Sequence, residues 1–177
     1  MVFSYYSVHY FYYSLHKSLI SLRNVFFNMT VYRNPVPTVD IILQKGSYIL
    51  LIKRKNEPFK DHFALPGGFV NEGESVEAAV KREAMEETSL EIEPIDILGV
   101  YSDPKRDPRR HILTVVFVGT IVDGVARPRD DSVEIEWLHL EEIKNKKIAF
   151  DHKQILSDYS EWRKSGGTFW SFKRRAN

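Results

Sequence analysis

The sequence predicts a mixed α/β sandwich, not a doubly wound parallel sheet. Three observations carry that reading. Two β-rich runs, TVDIILQ and SYILLIKR, are separated only by Lys45-Gly46. A stretch free of Gly and Pro, from Ser75 to Leu90, is rich in Glu, Ala, Lys and Met. Several further β runs then follow before a second helical segment near the end. Strands gathered around one central and one late helix do not show the strict strand-helix alternation of a doubly wound sheet.

The elements follow in order from Thr38. The first two β runs should pair antiparallel, because Lys45-Gly46 has the composition of a hairpin turn. Ser75 is a fitting N-cap for the central helix, and Glu, Ala, Lys and Met all favour helix. IDILGVYS, HILTVVFVGTIV and EIEWLHL read as strands. The Pro-broken polar segments SDPKRDPRR and DGVARPRDDSV read as loops between them. The last helix is expected from about Asp151 to Lys164, with Asp151 as N-cap and Ile155, Leu156 and Tyr159 on its apolar side.

Composition narrows what this fold is for. A chain of 177 residues, 43% hydrophobic and 28% charged, suits one globular domain with a real core. With 25 Lys and Arg against 24 Asp and Glu, no global field recommends a nucleic acid or an anionic membrane as partner. The absence of cysteine removes disulfides, thiolate catalysis and Cys-based zinc sites, and fits the cytoplasm. Any metal must be held by oxygen or imidazole.

The first 28 residues differ from the rest, being dense in Tyr and Phe, and no acidic residue precedes Asp40. Ser, His, Lys and Asn interrupt the apolar positions, so no run reaches the roughly 18 residues that a spanning helix needs. The segment reads as a disordered extension upstream of a natural start at Met29, dispensable for folding. The globular domain is expected over residues 29–165, and residues 166–177 read as a basic tail carrying Lys173, Arg174 and Arg175.

The central helix carries the candidate chemistry. At about 100° per residue, Val76, Ala79, Val80 and Leu90 fall on the same side as Glu83, Glu86 and Glu87. Three carboxylates on a core-facing stripe stand in conflict with burial. Neighbours three and four residues apart sit about 5–6 Å from one another, so each ionised pair repels by roughly 3 kcal/mol at an effective dielectric near 20. A divalent cation with oxygen ligands resolves that conflict: Mg²⁺, Mn²⁺ or Ca²⁺. Arg82 stands beside them to orient carboxylates, and Pro66, Gly67 and Gly68 form a tight bend just upstream where backbone can approach a metal or phosphate.

The stretch GFVNEGESVEAAVKREAMEETSL, from Gly68 to Leu90, resembles the Nudix box. Gly68, Glu74, Arg82, Glu83, Glu86, Glu87 and Leu90 match it in register, with Ala84 as a small occupant of its first aliphatic position. Ser89 stands where the box has Gly. If that position is left-handed, Ser89 costs on the order of 1 kcal/mol.

The resemblance implies a Nudix-type α/β/α sandwich with a mixed sheet, in which Glu83, Glu86 and Glu87 bind Mg²⁺, or Mn²⁺, helped by a carbonyl near Gly67 or Gly68. It also implies that Glu74 pairs with Arg82, and that a base from a separate loop assists the attack of water on phosphorus. Asp131 and Glu134, ahead of Asp130, are the candidates for that base. YSDPKRDPRRH and the later IAFDH are similar to the ADP-ribose pyrophosphatase branch of the family. They put forward Lys105, Arg106, Arg109 and Arg110 as substrate-binding residues.

The implied reaction is Mg²⁺-dependent hydrolysis of a nucleoside diphosphate linked to another group, foremost ADP-ribose to AMP and ribose 5-phosphate. The partner is thus a small nucleotide, and a homodimer is compatible with the family. Two alternatives stand beside it: a housecleaning hydrolase of oxidised nucleoside triphosphates or dinucleoside polyphosphates, and a non-catalytic ADP-ribose sensor. The intact box weighs against the sensor, as does the tail of about 20 residues after Ser157, which is too short for a winged helix.

Overall fold

The computed structural model of the chain describes residues 33–128 and 132–173. Among them, eight strands form one mixed sheet: β1 (Val36–Lys45), β2 (Tyr48–Arg54), β3 (Phe63–Ala64), β4 (Gly67–Phe69), β5 (Leu90–Tyr101), β6 (Ile112–Gly124), β7 (Ser132–His139) and β8 (Phe169–Trp170). The helices are α1 (Val76–Thr88), the short α2 (Leu140–Ile143) and α3 (His152–Ser165).

The spatial order β3-β2-β1-β6-β5-β8 is extended by β4 beside β1 and β7 beside β2. β1 runs parallel to β6, with Asp40 opposite Val116, and β5 runs parallel to β8. β1 and β2 pair antiparallel, as the short connection predicts. Gly46 takes up the left-handed φ of +62° that their turn requires.

The alternation of strand side chains sends β1 into two cores. Val39, Ile41 and Leu43 pack with Leu50 and Phe117 under Ala79 and Val80 of α1. Ile42 points the other way, into a cluster with Leu51, Leu98, Ile155 and Tyr159 that seats α3. Helices therefore cover both faces, and β1 is buried on both sides, which explains why Ile41, Ile42 and Leu43 follow one another without polar alternation.

Three boundaries differ from the sequence reading. Leu90 opens β5 instead of closing the helix, because Ser89 adopts φ +61° and turns the chain out of α1. β5 begins earlier than IDILGVYS, and register shifts on either side of Pro94 absorb a residue that has no N–H to give to the ladder. β8 lies inside the stretch read as a tail, where Phe169 is buried against β5. No helix among the described residues is long and apolar enough to cross a membrane. The extension 1–28 lies outside the described residues.

Candidate active site

The carboxylate helix is positioned at both ends. Ser75 Oγ accepts the Ala78 N–H at 3.2 Å, and the Ser89 N–H donates to the Met85 carbonyl at 3.0 Å. Ala79, Val80, Ala84 and Thr88 are buried, which sets Glu83 and Glu87 at the margin of the buried face.

The bend at Gly67-Gly68 meets this margin. The Gly67 N–H donates to Glu87 Oε2 at 2.9 Å. A Cβ on Gly68 would come within 2.4 Å of the Glu83 carboxyl carbon, so a glycine is what lets that carboxylate lie against β4. Arg82 ties the group together. Its guanidinium donates to both Glu74 oxygens at 2.9 Å, to Glu83 at 2.7 Å, to Glu86 at 3.0 Å and to the Phe69 carbonyl at 2.9 Å. The Glu74–Arg82 pair expected from the box is thus present.

Burial raises the carboxyls that face inward. Glu87 is pushed up to about 8, first by burial and further by the charges of Glu83 and Asp40, against the bond from Gly67. Glu83 is also raised, chiefly by burial, with Arg82 opposing. Glu74 is held below the usual range by Arg82. An acid that stays protonated near neutrality for want of compensation is what a neighbouring cation would ionise. The donor set is all oxygen and suits a hard divalent ion. Among the described residues no three such side chains already converge as a cage. Arg82 engages one oxygen each of Glu83 and Glu86.

A cleft of about 500 Å³ opens in front of the three glutamates. Its floor is a polar network that the sequence reading did not identify. Asp40 is buried in β1 and accepts from Thr114 Oγ1 at 2.7 Å. His152, at the start of α3, lies 3.6 Å from Asp40 through Nε2 and accepts the Leu65 N–H at Nδ1. Nδ1 is therefore unprotonated, and burial pushes the imidazole pKa down, so the ring is the neutral Nε2–H tautomer. An acid inside the apolar run TVDIIL was the signal for Asp40. Nothing in the spacing of the sequence announced Thr114 as its partner.

The basic loop is partly buried, at Arg106 and Asp107, and partly exposed, at Lys105, Arg109 and Arg110. Arg106 is buried, binds Asp151 through Nε and Nη2 at 2.9 and 2.7 Å, and reaches Asp40 at 3.9 Å. It lines the cleft with its charge already paired within the protein. Asp151 precedes α3 but makes no side-chain cap, because its carboxylate is spent on Arg106.

Arg109 does line the cleft, held by the buried Asp107 at 2.7 and 3.0 Å. Those bonds outweigh the burial that works against Asp107 and keep its carboxyl below the usual range. Arg110 sits over the Phe69 ring. Lys105 faces a neighbouring recess beside Pro108 and Gln154, outside the cleft. Glu134 is the cross-strand partner of Lys53, bonded to it at 3.2 Å, and is not among the residues lining the cleft. Asp130 and Asp131 lie outside the described residues. Arg54, Phe69 and Phe150 also line the cleft and were not singled out from the sequence.

Comparison with known proteins points the same way. The NUDIX domain family model matches residues 34–159. An ADP-ribose pyrophosphatase of Methanocaldococcus jannaschii is 49% identical over 133 residues, which cover 75% of this chain and 78% of that protein. The ADPR responsive transcriptional repressor NtrR of Acinetobacter baylyi is 33% identical over 71% of this chain, which spans about half of that longer protein (53%). Among solved structures, the NUDIX domain of Shewanella oneidensis NrtR in complex with ADP ribose superimposes with a TM-score of 0.66 at 26% identity, covering 76% of this chain and 92% of that one.

Proposed function

Starting from the finding that this chain belongs to the NUDIX domain family, we propose that it hydrolyses the diphosphate of ADP-ribose, giving AMP and ribose 5-phosphate, with Mg²⁺ as cofactor and Mn²⁺ as a substitute. The observation that carries the reading is the set Glu83, Glu86 and Glu87, anchored by Arg82 and Gly68 at the mouth of a cleft that also presents Arg109. The likeness to an ADP-ribose pyrophosphatase over three quarters of both chains supports the choice of substrate.

Bound Mg²⁺ would supply neutralisation of diphosphate oxygens and acidify the attacking water. Glu83, Glu86 and Glu87 are the residues to hold it, with backbone oxygen near Gly67 and Gly68. The chain's own contribution is placement. Arg82 fixes the direction of two of the carboxylates, and Arg109, held by Asp107, brings positive charge to the cleft wall. Water adds to phosphorus, the bond to the bridging oxygen breaks, and the departing phosphate ester carries that oxygen away. The water's proton passes to a carboxylate. Of the candidates Asp131, Glu134 and Asp130, Asp131 is the proposed acceptor, since Glu134 is paired with Lys53 and does not line the cleft.

The test is direct. Purified protein with Mg²⁺ should convert ADP-ribose to AMP and ribose 5-phosphate faster than it acts on any nucleoside triphosphate, and chelator should stop it. An oxidised deoxynucleoside triphosphate cleaved a hundred times more efficiently would defeat the substrate but keep the hydrolase. Tight ADP-ribose binding without turnover under any divalent metal would defeat both and favour a sensor.

A further inference from the structure

The substrate class proposed above carries a planar base at one end. Phe69, the last residue of β4, is 36% exposed on the cleft wall. Its position relative to the carboxylates is fixed three ways. Its backbone pairs with Thr38 in β1, its carbonyl accepts from Arg82, and its preceding neighbour Gly68 abuts Glu83.

Two guanidinium groups face the Phe69 ring, Arg110 at 5.1 Å and Arg109 at 5.8 Å from its centroid. They are not equivalent. Arg109 is tethered to the buried Asp107 and lies 5.6 Å from the ring of Phe150 as well. Moving it would strand a buried carboxylate. Arg110 is exposed, and among the described residues its side chain makes no ion pair or hydrogen bond; it rests on the Phe69 ring.

We propose that Phe69 and Arg110 form a clamp that takes the nucleobase of the substrate between ring and guanidinium. The proposal rests on the nucleoside diphosphate reading. A lone cation–π contact at an exposed site is weak and easily opened. Insertion of a heteroaromatic base replaces that one contact with two, base on ring and guanidinium on base, and both are forms of stacking that Arg and Phe favour. Arg109, unable to leave Asp107, serves as the fixed wall beside them. Because stacking tolerates any base, the clamp reads the presence of a base more than its identity.

The test measures binding of AMP and of ribose 5-phosphate to the full chain by calorimetry. The ratio of their dissociation constants cancels the phosphate attraction that the two ligands share. Wild type should favour AMP. Phe69→Ala and Arg110→Ala should each shrink that preference, by about tenfold for the ring, on the scale of base–aromatic stacking. Phe69→Trp should retain it. Both positions are exposed, and thermal melts should superimpose on wild type. Absence of an AMP preference in wild type, or a preference unchanged in Phe69→Ala, overturns the clamp. The readout is independent of turnover: an AMP preference lost in Phe69→Ala, in a protein that never cleaves ADP-ribose, keeps the clamp and removes the hydrolase.

Discussion

Arg106 grips both oxygens of Asp151 from a position where its own side chain is only 4% exposed, and the same guanidinium lies 3.9 Å from Asp40. One residue of the basic loop is thereby joined to the start of α3 and to the middle of β1. Replacing it with Met would leave the buried Asp40 and the half-buried Asp151 without their cation. The expected cost is about 3–5 kcal/mol of folding stability, the usual result of breaking a buried pair from one side. Urea denaturation measures it, and a loss under 1 kcal/mol would show that the pair is not buried in solution.

Glu87 links stability, pH and metal. Its carboxyl stands at about 8 in the fold against an ordinary 4.5, so the folded chain keeps a proton that the unfolded chain gives up above pH 4.5. That contribution to stability is complete below pH 4.5 and disappears as pH climbs through about 8. In chelator, the urea midpoint of Glu87→Gln should therefore exceed that of wild type at pH 8. Added Mg²⁺ should reverse the order, and its binding to wild type at pH 7 should release protons. The same substitution should lower kcat by orders of magnitude. Near-normal turnover at saturating Mg²⁺ would remove Glu87 from the ligand set.

His152 carries the opposite sign. Burial depresses its pKa below the ordinary 6.5, so its contribution to stability is full above pH 6.5 and is lost as pH falls through the depressed value. His152→Asn keeps an acceptor for the Leu65 N–H and has no titrating ring. It should flatten the part of the stability profile that declines just below pH 6.5. A profile identical to wild type would show that the ring does not titrate in that window.

Ser89 at φ +61° bears a strain that glycine would not. Ser89→Gly should raise stability by about 1 kcal/mol and leave kcat unchanged, because the residue caps the helix and donates nothing to the cleft. A destabilised variant would imply that the Ser89 hydroxyl, 3.4 Å from the Arg127 carbonyl, contributes more than the strain costs.

The parts of the site that lie close together in sequence were legible. Helix periodicity set Glu83, Glu86 and Glu87 on the core-facing stripe; Glu83 and Glu87 do lie at the buried margin, whereas Glu86 is exposed, and the Glu74–Arg82 pair was legible only through the resemblance. The parts assembled across long separations were not. Nothing in SDPKRDPRR distinguishes a buried arginine from a solvated one, because the partner of Arg106 is 45 residues away. Likewise, Asp40 meets Thr114 across 74 residues through the parallel pairing of β1 with β6. Charge counting treats the basic loop as one object, while the fold divides it into a buried tie, a tethered wall and an exposed cation.

The parallel pairing of β1 with β6, and the docking of His152 beneath it, also set when the protein can work. Such contacts close late, since joining distant segments costs chain entropy before any packing returns it. During synthesis the glutamate helix emerges well before Asp151 and His152 exist. A growing chain therefore carries its acids without their floor, and the cleft can be completed only after Asp151 and His152 have been added.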